Sequence, residues 1–228
     1  MIDGIGVRGA CPECGLAVAE SLPEARTGVS WQNHGGPIGW VLGVLEALAK
    51  PARSYSLLRI DRERDALWHV LATCIIAAAI PSMVWSLELW EGLRQPEDRN
   101  LLTHAVRTLM MVAAGTGVLF TLTRIEQRGI RLWGRVNGRR IDKPIAHRVC
   151  AHASAGWVIG ALLIFPGAAL GEQVEDWGFS NSVGAFRPIV NAAPVVGSVL
   201  GFGIGLLWFE VLVYIGAKRC RFANAARR

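Results

Sequence analysis

Four long stretches of the chain are almost free of charge, and they alternate with short segments that hold most of the arginine, aspartate and glutamate. The stretches are Ala66–Leu87, Ala105–Thr123, Val149–Leu170 and Ile189–Ala217. Each reaches the ~18 apolar residues that cross a bilayer as a helix, and backbone amides in hydrocarbon must be satisfied within the segment. The pattern therefore predicts an all-α, polytopic integral membrane protein with a four-helix transmembrane bundle.

Two shorter segments complete the predicted organisation. Ile38–Ala49 is too short to span and carries Glu46, so we expect an interfacial helix there. In Leu132–Ile141 the pair Asn137-Gly138 predicts a small hairpin on the headgroups, with a solvated basic loop as the alternative. The expected regions are a segment with half a zinc knuckle (1–37), an interfacial helix and basic linker (38–65), the four spans (66–217) and a basic tail (218–228).

Composition supports the membrane assignment, since 52% of the residues are hydrophobic and only 18% are charged, against ~25% in soluble domains. Lysine and arginine are also distributed unevenly among the predicted loops. The loop 124–148 holds eight of them, whereas 88–104 holds two and 171–188 holds one. This bias predicts that both termini are cytoplasmic. The net charge of +6 is then explained by contact with anionic lipid headgroups, and we expect no nucleic-acid partner.

The candidate metal ligands are Cys11 and Cys14, which form a Cys-x-x-Cys pair followed by Gly15. Two thiolates at this spacing supply half of a zinc site. The remaining ligands are expected from His34, from the same pair on a second chain, or from residues upstream. A thioredoxin-like redox role is disfavoured, because the chain has no βαβ pattern around the pair. Zinc is the one cofactor that the sequence indicates.

The string CPECGLAVAESL resembles the zinc-ribbon-like N-termini attached to membrane domains in uncharacterised bacterial proteins, where an upstream Cys-x-x-Cys completes the knuckle. Only Cys11 and Cys14 match that pattern in this chain. The phrase Ala151-His152-Ala153-Ser154-Ala155-Gly156-Trp157, which opens a span, is faintly similar to Yip-type membrane domains. Those domains act in trafficking or membrane organisation. The resemblances imply a bacterial inner-membrane location and a non-enzymatic role.

Small residues recur at every fourth position in two of the spans. They are Gly156 and Gly160 in the third span, and Gly197, Gly201 and Gly205 in the fourth. Such stripes let two helix backbones approach closely. We expect the third and fourth spans of one chain to pack together here, while contact between two copies in a homo-oligomer stays open.

Ionisable residues inside spans are costly, at ~2.5–3.5 kcal/mol near the membrane centre. His69 and Arg107 lie near span ends and are expected to snorkel. Glu210 lies deeper, so we expect it to be protonated or paired with His152, with Arg148 as the alternative partner. A proton or cation relay and a structural hydrogen bond both fit such a pair, and the structural role is favoured because the outer halves of the spans offer no further relay groups.

The sequence carries no catalytic motif, so we assign no catalytic residues and expect a non-enzymatic protein. The function that fits best is a membrane scaffold or membrane-organising protein whose basic cytoplasmic face meets lipids or a partner. The alternatives are a small proton-coupled or metal-ion transporter or channel that uses Glu210 and His152, and a zinc-binding membrane adaptor.

Overall fold

The computed structural model describes Gly9 and residues 26–60, 63–92, 101–138, 141–181 and 192–220. Within these residues the regular structure is entirely helical. The helices are α1 (Ser30–Asn33), α2 (Gly36–Ala49), α3 (Pro51–Leu57), α4 (Glu63–Gly92), α5 (Leu101–Val136), α6 (Lys143–Ala153), α7 (Ala155–Asn181) and α8 (Ala193–Cys220). Four segments are long and apolar enough to cross a membrane: Asp65–Trp85, Leu101–Val136, Lys143–Gln173 and Ala193–Cys220. The prediction of an all-α membrane protein with four spans is confirmed.

The second and third spans are longer than the hydrophobic stretches alone predict. Helix α5 continues to Val136 before it turns at Asn137 and Gly138, so the hairpin expected for Leu132–Ile141 is wrong, and the loop expected as its alternative is confined to the residues after Val136. Gly138 has a φ of +64°, and its N–H donates to the Arg135 carbonyl. The Asn-Gly pair therefore ends a helix, because glycine readily adopts the left-handed conformation found at helix ends.

The third span is two helices in series, α6 and α7, separated by Ser154 alone. The Ser154 N–H donates to the Cys150 carbonyl at 3.0 Å, and its hydroxyl donates to the Ala151 carbonyl at 2.6 Å. These bonds satisfy carbonyls at the end of α6, which matters in an environment without water.

The chain divides into two compact units, and each long span contributes residues to both. The first unit contains α1, α2, α3 and α6, with the described residues 26–70, 122–155 and 210–220. The second contains the described parts of 71–121 and 156–209. The first unit has buried polar side chains at its centre, among them Arg26, His69, Arg148 and His152.

The second unit packs through small residues. A Cβ atom on Gly197 would collide with the carbonyl oxygen of Gly167, and one on Gly205 would collide with the backbone of Gly160. Gly201 meets the Leu163 carbonyl in the same way, and Gly156 meets the backbone of Phe209. Helices α7 and α8 of this chain are therefore in backbone contact along their facing stripes.

A prediction follows for this contact. Gly197→Ala places a methyl group against the Gly167 backbone, which cannot move aside as a flexible side chain would, so we expect a destabilisation of about 1–3 kcal/mol. Gly203→Ala is the matched control on α8, because a Cβ there meets no atom within 4 Å. The free energy of unfolding in detergent is measured for both variants. Equal stability of the two would contradict the backbone contact.

Candidate functional site: a buried polar cluster around His152

His152 lies at the centre of the first unit, on α6, with its side chain fully buried. Its Nδ1 accepts a hydrogen bond from the Trp31 indole N–H at 3.1 Å. Its Nε2 lies 2.8 Å from the Ser54 hydroxyl oxygen. One buried imidazole thus joins a residue of α1, a residue of α3 and the third span.

The hydrogen bonds on either side of His152 fix where its proton lies. An indole nitrogen can only donate, so Nδ1 must present its lone pair to Trp31. The Ser54 hydroxyl donates to the Pro51 carbonyl at 2.9 Å, so its oxygen is available to accept from His152 Nε2–H. The chain of donors runs from Trp31 through His152 and Ser54 to Pro51. His152 is therefore neutral and carries its single proton on Nε2.

Trp31 makes contacts beyond this hydrogen bond. Its ring stacks on the His69 imidazole of α4, with centroids 4.7 Å apart and planes 16° from parallel. His69 is only 5% exposed, so the expectation that it snorkels to the membrane surface is wrong. On another side of the indole, a Cβ on Gly43 of α2 would lie 2.7 Å from Trp31 Cδ1. The tryptophan therefore contacts α2, the first span and the third span.

Tyr55 of α3 adds a second aromatic contact to His152. Its ring meets the imidazole edge-on at 4.9 Å, and its hydroxyl donates to the Val149 carbonyl at 3.4 Å. Burial raises the pKa of the Tyr55 phenol well above its ordinary value. The phenol accordingly stays protonated, and remains a donor, throughout the neutral range.

Arg26 connects the N-terminal segment to α3 and to the end of α8. Its guanidinium donates to the carbonyls of Tyr55 and Leu58 at 3.1 Å, and to that of Arg219 at 3.3 Å. It also lies 3.7 Å from the sulfur of Cys220, whose thiol donates to the Tyr55 carbonyl at 3.5 Å. These carbonyls, left without helical partners at helix ends, are natural acceptors for a buried cation.

Gln32 completes the attachment of α1. Its side-chain oxygen accepts from the backbone N–H of Arg59 at 2.9 Å, and its amide donates to the Arg59 carbonyl at the same distance. The Gln32 amide thus donates to and accepts from the Arg59 backbone, as a neighbouring strand would in a β-sheet. Residues 26–33 are thereby held along residues 55–60 by directed polar contacts.

The predicted pair of His152 and Glu210 is replaced by other contacts. Both ring nitrogens of His152 are engaged by Trp31 and Ser54, and the Glu210 side chain is exposed. Arg148, the alternative partner, is fully buried on α6 and donates to the Pro144 carbonyl one turn earlier at 3.3 Å. A carboxylate is thus not what satisfies the buried imidazole.

The predicted metal ligands are not brought together in the part of the chain that is described. Cys11 and Cys14 lie outside the described residues, and His34 has an exposed side chain just beyond α1. Among the residues described, no three His, Cys, Asp or Glu side chains form a group that would hold a metal ion.

Sequence reasoning found His152 but missed its partners. All three partners lie far from His152 along the chain. Trp31 belongs to the predicted segment with half a zinc knuckle (1–37), and Ser54 and Tyr55 belong to the predicted interfacial helix and linker (38–65). Two weak signals were present. Trp31 is an aromatic residue in a polar segment, and Ser54 and Tyr55 are two of the polar residues in a short segment directly after the predicted interfacial helix.

A substitution tests the central hydrogen bond. Trp31→Phe keeps an aromatic ring against His69 but removes the N–H that satisfies His152 Nδ1, so we expect a loss of about 1–3 kcal/mol for the buried acceptor. Trp68→Phe, at a side chain that is 66% exposed, is the matched control with an expected effect within ~0.5 kcal/mol.

A double-mutant cycle with Ser54→Ala sharpens the same test. Because both substitutions act on one imidazole, their effects on unfolding in detergent should be non-additive by ~0.5 kcal/mol or more. Strict additivity would contradict the proposed donor chain.

No family model, curated protein or solved structure matches this chain. The functional assignment therefore rests on the geometry of the described residues and on the charge pattern of the sequence.

Proposed function

We propose that the protein is a non-enzymatic membrane scaffold that holds its own N-terminal segment at the cytoplasmic surface of a bacterial inner membrane. The observation that carries this proposal is the hydrogen-bond chain from Trp31 through His152 to Ser54. It uses a polar residue of a membrane span to fix extramembrane helices in place.

The cost of a histidine in a span argues that its contacts serve a purpose. A transporter that used His152 as a proton or cation carrier would need a ring nitrogen free to exchange its ligand. Both nitrogens instead contact partners in α1 and α3 at ordinary hydrogen-bond distances. These contacts favour a structural role for His152 over the transport of a proton or cation.

The charge pattern supports the proposed orientation. The positive-inside rule places both termini and the basic 124–148 segment on the cytoplasmic side, next to anionic headgroups. The first unit contains the described residues of that segment and the end of α8, so α1, α2 and α3 belong to the same compact body as the predicted cytoplasmic span ends. The lipid bilayer is the expected partner.

Reconstitution with two readouts tests the scaffold against the transporter. In proteoliposomes under an imposed membrane potential, we expect the wild-type proton flux to equal that of protein-free vesicles, and Glu210→Gln to change nothing. Flux above that baseline, lost in Glu210→Gln, would replace the scaffold with the proton-coupled alternative.

The second readout reports docking of the N-terminal segment. Cys220 is buried and its sulfur lies 3.7 Å from the Arg26 guanidinium, so we expect its alkylation to speed up when that segment lifts away. We expect alkylation of Cys220 to be about tenfold faster in Trp31→Phe than in Trp68→Phe, which corresponds to ~1.4 kcal/mol. Equal rates would show that the His152 contact does not hold the segment.

Zinc binding enters the proposal through Cys11 and Cys14, with His34 as a weak third ligand. Elemental mass spectrometry of the purified protein measures it, with Cys11→Ser as the comparison. About one zinc per two chains, lost in Cys11→Ser, is the result expected if a second chain completes a four-thiolate site. Absence of zinc would contradict the alternative of a zinc-binding adaptor, and the scaffold function would then depend on the helices alone.

A further inference from the structure

Helix α2 has an unusual distribution of side-chain sizes. Four large apolar side chains are exposed on it: Ile38 (74%), Val41 (45%), Leu42 (42%) and Leu45 (55%). Their spacing of three, one and three residues places them on one face of a helix. We call these four residues the α2 ridge.

The opposite face of α2 is built mostly from glycine and alanine, with one valine. Gly39, Gly43, Val44 and Ala47 are buried. Gly43 lies against the Trp31 ring, and Gly39 lies against the backbone carbonyl of His34. A helix that faces water keeps its large apolar residues inside. The reversed arrangement in α2 indicates that its outer face meets an apolar phase.

Charges around the ridge are arranged for a membrane surface. Glu46, the acidic residue of α2, is turned to Ser30, which donates to it from its N–H at 2.9 Å and from its hydroxyl at 2.6 Å. Lys50 and Arg53, directly after the ridge, are exposed. Lys50 and Arg53 can therefore contact anionic lipid phosphates at the end of α2, and the Glu46 carboxylate is already hydrogen-bonded to Ser30.

The size of the ridge and its place in the fold favour lipid over protein as the occupant. Helix α2 has 14 residues, about 21 Å at 1.5 Å per residue, which is too short to cross a bilayer of ~30 Å. It belongs to the same compact unit as parts of all four spans, so the bilayer is close by. Four side chains also fall well short of the ~20–30 residues per partner in a stable protein interface.

We propose that the α2 ridge inserts into one leaflet of the bilayer, and that Lys50 and Arg53 gather anionic phospholipid around it. Trp31 sets the orientation, because its ring fills the space beside Gly43 and is itself fixed by His152. The activity is lipid organisation: a wedge in one leaflet with a local excess of anionic headgroups. The inference rests on the proposed function in that the scaffold must place α2 at the membrane surface.

Site-directed spin labelling of the full-length chain tests insertion. Nitroxides are attached at Leu45→Cys on the ridge, at Met110→Cys as a lipid-facing reference on α5, and at Thr27→Cys, an exposed position before α1, as a water-facing reference. The background carries Cys11→Ser and Cys14→Ser, and the protein is placed in nanodiscs of phosphatidylcholine with phosphatidylglycerol. We expect the accessibility of the Leu45 label to oxygen, relative to a water-soluble nickel chelate, to be several times that of the Thr27 label and to approach that of the Met110 label.

Two outcomes would overturn insertion. A Leu45 label as accessible to the nickel chelate as the Thr27 label would place the ridge in water. Dipolar broadening between Leu45 labels on two chains would assign the ridge to a second copy. Protection of Cys220 from alkylation is measured on the same samples. If the Leu45 label is in water while Cys220 is protected, insertion alone is contradicted. If Cys220 is no longer protected, the docking of the N-terminal segment on which the scaffold depends is contradicted.

Lipid composition tests the headgroup part of the proposal. In mixed nanodiscs we expect phosphatidylglycerol to be enriched around the wild-type protein, and this enrichment to fall in Lys50→Gln/Arg53→Gln. Arg128→Gln/Arg135→Gln is the matched control, because it removes the same charge at two exposed arginines of a different helix, α5. An equal fall in both variants would show that total charge, and not the α2 site, selects the lipid.

Discussion

The hydrogen bond from Trp31 to His152 is the constraint on which the rest of the first unit depends. An indole N–H has one proton to give and no lone pair to offer, so it forces the imidazole to be neutral with its proton on Nε2. That proton then needs an acceptor, which the Ser54 hydroxyl supplies because it donates elsewhere, to Pro51. The positions of α1 and α3 against α6 are thus set by complementary donors and acceptors, and a small shift of any one of these elements would leave a buried polar atom unsatisfied.

The two units solve the same packing problem by different means. Helices in lipid gain little from burying apolar side chains, because the surrounding acyl chains are equally apolar. The second unit compensates with close backbone contact, where Gly160 and Gly205 or Gly167 and Gly197 face each other. The first unit compensates with directed hydrogen bonds, in which Arg26 and Gln32 satisfy backbone groups near helix ends. Dispersion forces hold one unit together, and polar complementarity specifies the other.

How far the sequence predicted the structure depends on the range of each contact. The spans follow from runs of apolar residues, and α2 was predicted over Ile38–Ala49 and begins two residues earlier. The hairpin expected at Leu132–Ile141 was wrong because Asn-Gly also ends helices, and only the continuation of α5 to Val136 distinguishes the two cases. The polar cluster was out of reach for another reason. The partners of His152 are separated from it by 121 and 98 residues, and no local pattern records which distant tryptophan or serine meets a buried imidazole.

The same ring that fixes His152 also explains the composition of α2. Trp31 occupies the volume beside Gly43, so this position on the inner face of the helix must be small, and Ile38, Leu42 and Leu45 lie on the outer face. In water this arrangement would expose the ridge at a cost of ~25 cal/mol for each Å² of apolar surface. Beside four membrane spans the cost is removed if the ridge meets lipid. The neutral state of His152 in the third span and the glycine at position 43 of α2 therefore both follow from where one tryptophan is placed.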